Sequence, residues 1–203
     1  MDTARARIAR LPRRRLLVCA ASLPLMGVCL RARAEAPPTG WVQPAVPAPP
    51  LRVIQAPGKP VALGELLAGH VTAVQLMFTG CSTSCPVQGA LFAALAARPG
   101  RQPVQLLSIS IDVLGDTPDT VAAWQRRLGP HATWRGAVAH PNDVDRLATY
   151  LKGAASRSGT HTAQVFVFDR QGRLSYRTGD NPGLRELEAL IDGVGRSSPA
   201  SPA

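Results

Sequence analysis

The sequence predicts one α/β domain, a central mixed sheet flanked by helices, and three observations predict it. Strand-like and helix-like runs alternate between about residues 51 and 195. The runs Val71–Phe78 and Val104–Ile111 are apolar almost throughout, the pattern of strands covered by helices on both faces. Asp169-Arg170-Gln171-Gly172 then separates the last two strand-like runs, as a hairpin turn would. A stretch of this length suits one ordinary domain, and it contains no internal repeat.

Taken in order, Val71–Phe78 is followed by a helix-like run, Pro86–Ala97, and then by the strand Val104–Ile111. The next helix, Pro118–Leu128, is introduced by Thr117. That places a hydroxyl at the N-cap and a proline at the first helical position, where its missing N–H has no partner to lose. A short strand Thr133–Val138, a helix Asp143–Leu151, two strands Ala163–Phe168 and Leu174–Arg177, and a helix Pro182–Ile191 complete the chain. Strand–helix alternation that closes in a hairpin and a helix is the order of a thioredoxin-like sandwich.

Outside the domain the composition changes. Residues 35–50 are rich in Pro and Ala and read as an extended, semi-rigid spacer. Residues 196–203 read as a loose tail. Residues 1–15 hold six arginines and one acid, Asp2. An apolar stretch Leu16–Leu30 and the small-residue site Ala32-Arg33-Ala34 follow, which together read as an export signal over residues 1–34. Arg13-Arg14-Arg15-Leu16-Leu17 is similar to a twin-arginine signal. The alternatives are an uncleaved membrane anchor and a mitochondrial presequence. Spanning a bilayer takes about 20 apolar residues, more than this stretch supplies, and Pro24 interrupts it.

The same segment accounts for most of the basic charge. Of the formal +10, residues 1–34 supply +7 from eight arginines against Asp2, leaving +3 for residues 35–203. The remaining arginines are scattered, so nucleic-acid binding, which needs a basic patch or stripe, is excluded.

The chemistry concentrates in Cys81-Ser82-Thr83-Ser84-Cys85-Pro86, where the first strand hands over to the first long helix. The other two cysteines, Cys19 and Cys29, lie in the export segment, so the domain itself keeps one dithiol. On a helix, residues four apart share a face with Cβ atoms ~6 Å apart, so two sulfurs can meet one ion or each other. Free N–H groups and the positive end of the dipole at a helix N-terminus favour thiolates. Inert cysteines sit in apolar surroundings, whereas these sit among Ser and Thr. The pair therefore reads as a redox or soft-metal site. Of the four histidines, His70, His131 and His140 read as turn or surface residues. His161, in Ser158-Gly159-Thr160-His161-Thr162 just before a buried strand, is either a structural residue or a further ligand.

Phe78-Thr79-Gly80-Cys81-x-x-x-Cys85-Pro86, then Ser108-Ile109-Ser110-Ile111-Asp112-x-x-x-Asp116-Thr117-Pro118, then His161 ahead of Phe168-Asp169-Arg170-Gln171-Gly172, resembles the Sco/SenC family through roughly residues 51–195. These are thioredoxin-like copper proteins that assist assembly of the binuclear copper site of cytochrome c oxidase. The resemblance implies Cys81, Cys85 and His161 as metal ligands for one copper ion per chain, Cu(I) or Cu(II). It implies Cys81 and Cys85 as a redox dithiol as well. It implies as partners a copper-accepting oxidase subunit or another copper protein and a thiol reductant, with membrane association through the N-terminal segment. The expected location is the periplasm, free or anchored to the inner membrane, or alternatively the mitochondrial intermembrane space.

Soft thiolates with an imidazole suit copper, which also heads the Irving–Williams order; structural zinc normally takes a full tetrahedral set of protein ligands. A general disulfide-exchange enzyme of this fold would carry C-x-x-C and a proline just before the facing strand. This chain has C-x-x-x-C and no proline between Pro141 and Pro182. It is therefore expected to be a metallochaperone rather than an enzyme, with a thiol–disulfide reductase as the competing reading. The chain departs from the family where Ser82-Thr83-Ser84 replaces the usual acid between the cysteines, where Thr160 precedes the histidine in place of the usual Asp, and in a shortened loop from Tyr150 to His161. Asp112 and Asp116 belong either to the rim of the site or to an exposed strand-to-helix loop with Asp116 or Thr117 as the helix cap.

Overall fold

A computed structural model describes residues 38–98, 104–129, 132–152 and 162–197. The expected export segment, the last six residues, His131 and His161 lie outside them. In chain order the strands are β1 (Gly40–Pro47), β2 (Arg52–Gln55), β3 (Lys59–Ala62), β4 (Val71–Met77), β5 (Val104–Ser110), β6 (Trp134–Ala139), β7 (Val165–Phe168) and β8 (Arg173–Arg177). The helices are α1 (Leu63–Leu67), α2 (Ser84–Ala96), α3 (Pro118–Leu128), α4 (Val144–Lys152) and α5 (Leu184–Ser197). The strands form one sheet in the order β1-β8-β7-β4-β5-β6-β2-β3. Its centre, β4-β5-β6, is parallel, and β7, β8, β1 and the β2–β3 hairpin add antiparallel flanks.

Every residue of β4 is buried, because both faces are covered. Val74, Leu76, Leu107 and Ile109 pack against Leu63, Leu66 and Leu67 of α1 and Leu147 and Leu151 of α4. On the other face Ala73, Met77, Leu106 and Val138 pack against Phe92 of α2, Val121 and Trp124 of α3, and Leu187, Ile191 and Val194 of α5. This is the three-layer, thioredoxin-like sandwich the alternation predicts. Each long expected strand and helix is present, α3 with the bounds expected and the others with ends shifted by at most six residues.

Local chemistry explains the ends of these elements. The Thr117 hydroxyl accepts the Thr120 N–H at 3.2 Å and the Thr120 hydroxyl accepts the Thr117 N–H at 2.9 Å, so two orphan donors of α3 are satisfied reciprocally. In the predicted hairpin, Asp169 Oδ1 accepts from the Gln171 and Arg173 N–H groups, both at 3.0 Å, while Gly172 takes φ +71°, a conformation that favours glycine.

The spacer expected at 35–50 does not hold. Gly40–Pro47 is an edge strand antiparallel to β8, with Gly40 opposite Arg177 and Pro47 opposite Arg173. Proline cannot donate to a ladder, yet an edge strand leaves one side unpaired, so Pro44 and Pro47 are tolerated there. Trp41 meets Tyr176 edge to face, with ring centroids 5.3 Å apart. β1 thus lies inside the expected spacer, and α5 runs two residues into the expected tail of 196–203, to Ser197. The β2–β3 hairpin and α1 were not anticipated either.

The seating of α2 against α3 rests on Gly89. A Cβ there would lie 2.4 Å from Leu128 Cδ1 and 2.6 Å from the Trp124 indole. The Leu128 methyl can move, but the indole is rigid and buried. Gly89→Ala would gain about 1 kcal/mol in helix propensity and incur an overpacking cost of about 1–3 kcal/mol. A net loss on the order of 1 kcal/mol is expected in urea unfolding, and a gain in stability would contradict this packing.

Candidate metal and dithiol site

The site forms at the C-terminal end of the parallel strands. β4 and β5 run side by side with Met77 opposite Ser110, and the chain leaves each into a loop, 78–83 and 111–117. The start of β7 lies at the same end, since Val165 pairs with Gln75. Continuing that antiparallel register by two residues brings Ala163 level with Met77.

The first loop is fixed by Asp116. This carboxylate is only 7 % exposed. One oxygen accepts the Thr79 N–H at 2.9 Å and the Ser110 hydroxyl at 2.5 Å, and the other accepts the Thr79 hydroxyl. Asp116 thus joins the end of β5 and the entry to α3 to the residue two before Cys81. Of the two readings, site rim or strand-to-helix loop with Asp116 or Thr117 as cap, the structure gives the loop with Thr117 as cap, and Asp116, buried rather than exposed, braces it. Asp112 is exposed and accepts the Gly115 N–H at 2.9 Å, closing its own turn. Removing the brace in Asp116→Ala would take the acceptor from the Thr79 N–H and from the Thr79 and Ser110 hydroxyls, a loss of about 1–3 kcal/mol. Urea unfolding measures it, and an unchanged midpoint would remove Asp116 from this role.

Cys81 is half-buried and Cys85 is buried, and neither is in a disulfide. Thr83 occupies the N-cap of α2 but makes no side-chain cap bond. The Cys81 sulfur accepts instead, taking the Cys85 N–H at 3.5 Å. The Thr83 hydroxyl lies 3.7 Å and the Ser84 hydroxyl 3.9 Å from the same sulfur. A thiolate can only accept, so once Cys81 ionises both hydroxyls donate to it.

These contacts split the pair. Burial pushes the Cys81 thiol up, but hydrogen bonds from the Cys85 thiol and N–H and from the Thr83 N–H and hydroxyl outweigh it and bring its pKa down to about 6. At Cys85, burial first, then its hydrogen bond to Cys81 and the Cys81 charge, push the pKa up to about 12 against the Phe78 backbone and the Ser84 hydroxyl. One sulfur is therefore the nucleophile or first ligand at neutral pH, and the other ionises only in exchange for a bond or a metal. In reduced, metal-free protein, iodoacetamide labelling is expected at Cys81 with a half-maximal rate near pH 6, leaving Cys85 unmodified. Equal labelling, or a midpoint near the ~8.5 of a free cysteine, would contradict the split.

The donor set present is soft and suits a soft metal ion. Among the described residues no group of three or more His, Cys, Asp or Glu side chains is placed to hold a metal, and His161 falls outside them. His70 is exposed, with its Nδ1 3.1 Å from the Ala68 carbonyl, and His140 Nδ1 accepts the Asn142 N–H at 3.3 Å. Both are turn residues, as expected, and neither belongs to the site. Sequence reasoning missed Gln88 of α2, which is buried and donates through its amide to the Ala163 carbonyl. A polar residue on the buried face of a helix was the available signal.

Comparison with known proteins now decides the family. The model of the SCO1/SenC family matches residues 45–192. This chain belongs to the SCO1/SenC family. Solved Sco structures share its fold. A SCO1/SenC family lipoprotein from Bacillus anthracis superposes with a TM-score of 0.63 at 19% identity, covering 74% of this chain and 95% of that one. Bradyrhizobium japonicum ScoI with copper bound gives 0.59 at 23% identity, covering 74% and 100%. BsSco, a member of the Sco family of cytochrome c oxidase assembly proteins in which a disulfide switch was identified, gives 0.59 at 18%, covering 74% and 94%. At these identities the likeness establishes the thioredoxin-like fold. No curated protein matches the chain.

Proposed function

We propose that this SCO1/SenC protein is an exported copper-binding metallochaperone that assists assembly of the binuclear copper site of cytochrome c oxidase. The observation that carries the reading is the dithiol at the start of α2, two sulfurs joined through the Cys85 N–H in a chain of this family. That its relative ScoI is copper-bound and BsSco is an oxidase assembly protein supports it. Cys81, Cys85 and His161 are the ligands of this reading, holding one copper ion per chain as Cu(I) or Cu(II). Copper is the cargo, and the chain's part is to present ionised sulfur and release it to an acceptor. Cys81 supplies a ready thiolate, and Cys85 gives up its proton as the metal arrives. A disulfide would use both sulfurs, so loading requires a thiol reductant as a second partner.

Residues 1–34 act as an export signal or anchor, placing the domain in the periplasm or, in the alternative, the mitochondrial intermembrane space. Among the described residues no helix is long and apolar enough to cross a membrane. A second reading, a thiol–disulfide reductase that keeps an acceptor's copper-site cysteines reduced, is favoured by the split between Cys81 and Cys85. It needs both cysteines and no histidine.

Anaerobic titration of the reduced domain with Cu(I) separates the two. One equivalent should bind, and His161→Ala should weaken binding. Loaded with Cu(II), the protein should show a thiolate-to-copper charge-transfer band that Cys81→Ser or Cys85→Ser abolishes. Absence of copper binding would leave the reductase reading, and equal affinity in His161→Ala would remove that residue from the ligand set.

A further inference from the structure

Among the described residues the exposed large hydrophobic side chains fall in two pairs. Trp41 and Val46 lie on β1, and Val87 and Leu114 lie on the two segments that flank the dithiol. Val87 stands two residues after Cys85 on α2, and Leu114 is 96% exposed in the loop from β5 to α3. A single exposed leucine needs no account, but this one is held outward by a closed turn. Asp112 accepts the Gly115 N–H with its carboxylate and the Asp116 N–H with its carbonyl, both at 2.9 Å. Val113 packs against the buried clusters of both sheet faces, which leaves Leu114 as the tip. A Cβ at Gly115 would lie 2.4 Å from Asp112 Oδ2, so glycine makes room for the carboxylate that closes the turn.

The same loop is tied to the cysteines. Asp116, two residues beyond Leu114, accepts the Thr79 N–H at 2.9 Å, and Thr79 stands two residues before Cys81. Two peptide links span at most about 7 Å. Leu114 and Cys81 therefore fit inside one partner footprint, about 800 Å² a side or roughly 30 Å across. The charge around them has one sign. Loops 78–83, 111–117 and 178–183 hold Asp112, Asp116 and Asp180 and no Lys or Arg, and Asp112 and Asp180 are exposed.

We propose that Leu114 anchors a cysteine-bearing partner protein on the dithiol, and that apolar and basic side chains flank the partner's cysteine. This rests on the reading that Cys81 passes metal or a disulfide to another protein. In either transfer the partner's sulfur must reach the Cys81 sulfur, so the surface beside it is covered in the complex. Burying Leu114 there removes apolar surface from water that the free fold leaves exposed. The acidic loops favour a partner of opposite charge and speed its approach.

The test uses the full chain with Cys19→Ser and Cys29→Ser, reduced and free of metal. Its probes are heptapeptides whose one cysteine is held as a mixed disulfide with thionitrobenzoate. The Cys81 thiolate attacks the peptide sulfur, a Cys81–peptide disulfide forms, and thionitrobenzoate leaves, its absorbance giving the initial rate. Gly-Lys-Leu-Cys-Leu-Lys-Gly should react roughly tenfold faster than Gly-Lys-Gly-Cys-Gly-Lys-Gly. Leu114→Ala should bring that ratio to about one, Leu114→Met should keep it, and neither should change the rate with neutral dipyridyl disulfide. Asp112→Asn keeps an oxygen to close the turn, and it should slow both lysine peptides alike, as added salt should. A ratio near one before substitution, or one that survives Leu114→Ala, would overturn the anchor. So would a fall in the dipyridyl disulfide rate that matches the fall with peptide. Peptide rates indifferent to salt and to Asp112→Asn would overturn the basic flank. These rates need no copper, so their failure leaves the copper titration standing, and a failed titration leaves them to test docking in the reductase reading.

Discussion

A helix that follows directly on a buried strand begins with N–H groups that need acceptors, and here the acceptor is a sulfur. β4 is buried along its whole length, and the short loop 78–83 carries the chain from its C-terminal end into α2. The usual capping hydroxyl is present in Thr83 but makes no cap bond. Cys81 takes that place through the Cys85 N–H, and its ionised form is the better acceptor of the two. The hydrogen bond that caps α2 is thus also one of those that, with the Cys85 thiol and the Thr83 N–H and hydroxyl, lower the Cys81 pKa.

That interaction holds only if the loop before it keeps its shape, and the structure braces it from outside the loop. Asp116, 35 positions beyond Cys81 in the chain, pins Thr79 by backbone and hydroxyl and is itself held by Ser110. Gln88 and the Asp180–Asn181 turn brace Ala163 in the same manner. Two of the braces, Asp116 and Gln88, are buried polar side chains, the Asp180–Asn181 turn is exposed, and each binds the backbone of another element. Such groups cost desolvation when unpaired, so they enforce a single arrangement of the three loops at this end of the sheet.

The central elements were legible because their signals are local. An all-apolar run, a Thr-Pro start or an Asp…Gly turn carries its meaning within a few residues, and β4, α3 and the β7–β8 turn came out as read. β1 was misread because extended backbone and pairing are different properties. Its prolines report the first, and only β8, more than 125 residues later, supplies the second. β2, β3 and α1 are four or five residues each, too short for a periodic pattern to rise above its neighbours. At the site, the cysteine pair was visible from its spacing. The braces were not, since Asp116 and Gln88 act on residues 37 and 75 positions away. Nothing near them in sequence says which backbone they hold.

The same geometry gives Ser82-Thr83-Ser84 a physical role. An acid in that segment would set a second negative charge beside the Cys81 thiolate, raising its pKa and drawing a cation more strongly. Hydroxyls act in the opposite sense on the sulfur: two of them lie within 3.9 Å and can donate to the thiolate without adding charge. The exchange therefore trades attraction for the metal against stability of the free thiolate. A site built this way keeps the Cys81 sulfur ionised while the pair is reduced, and it places that chemistry in three small residues between the two sulfurs.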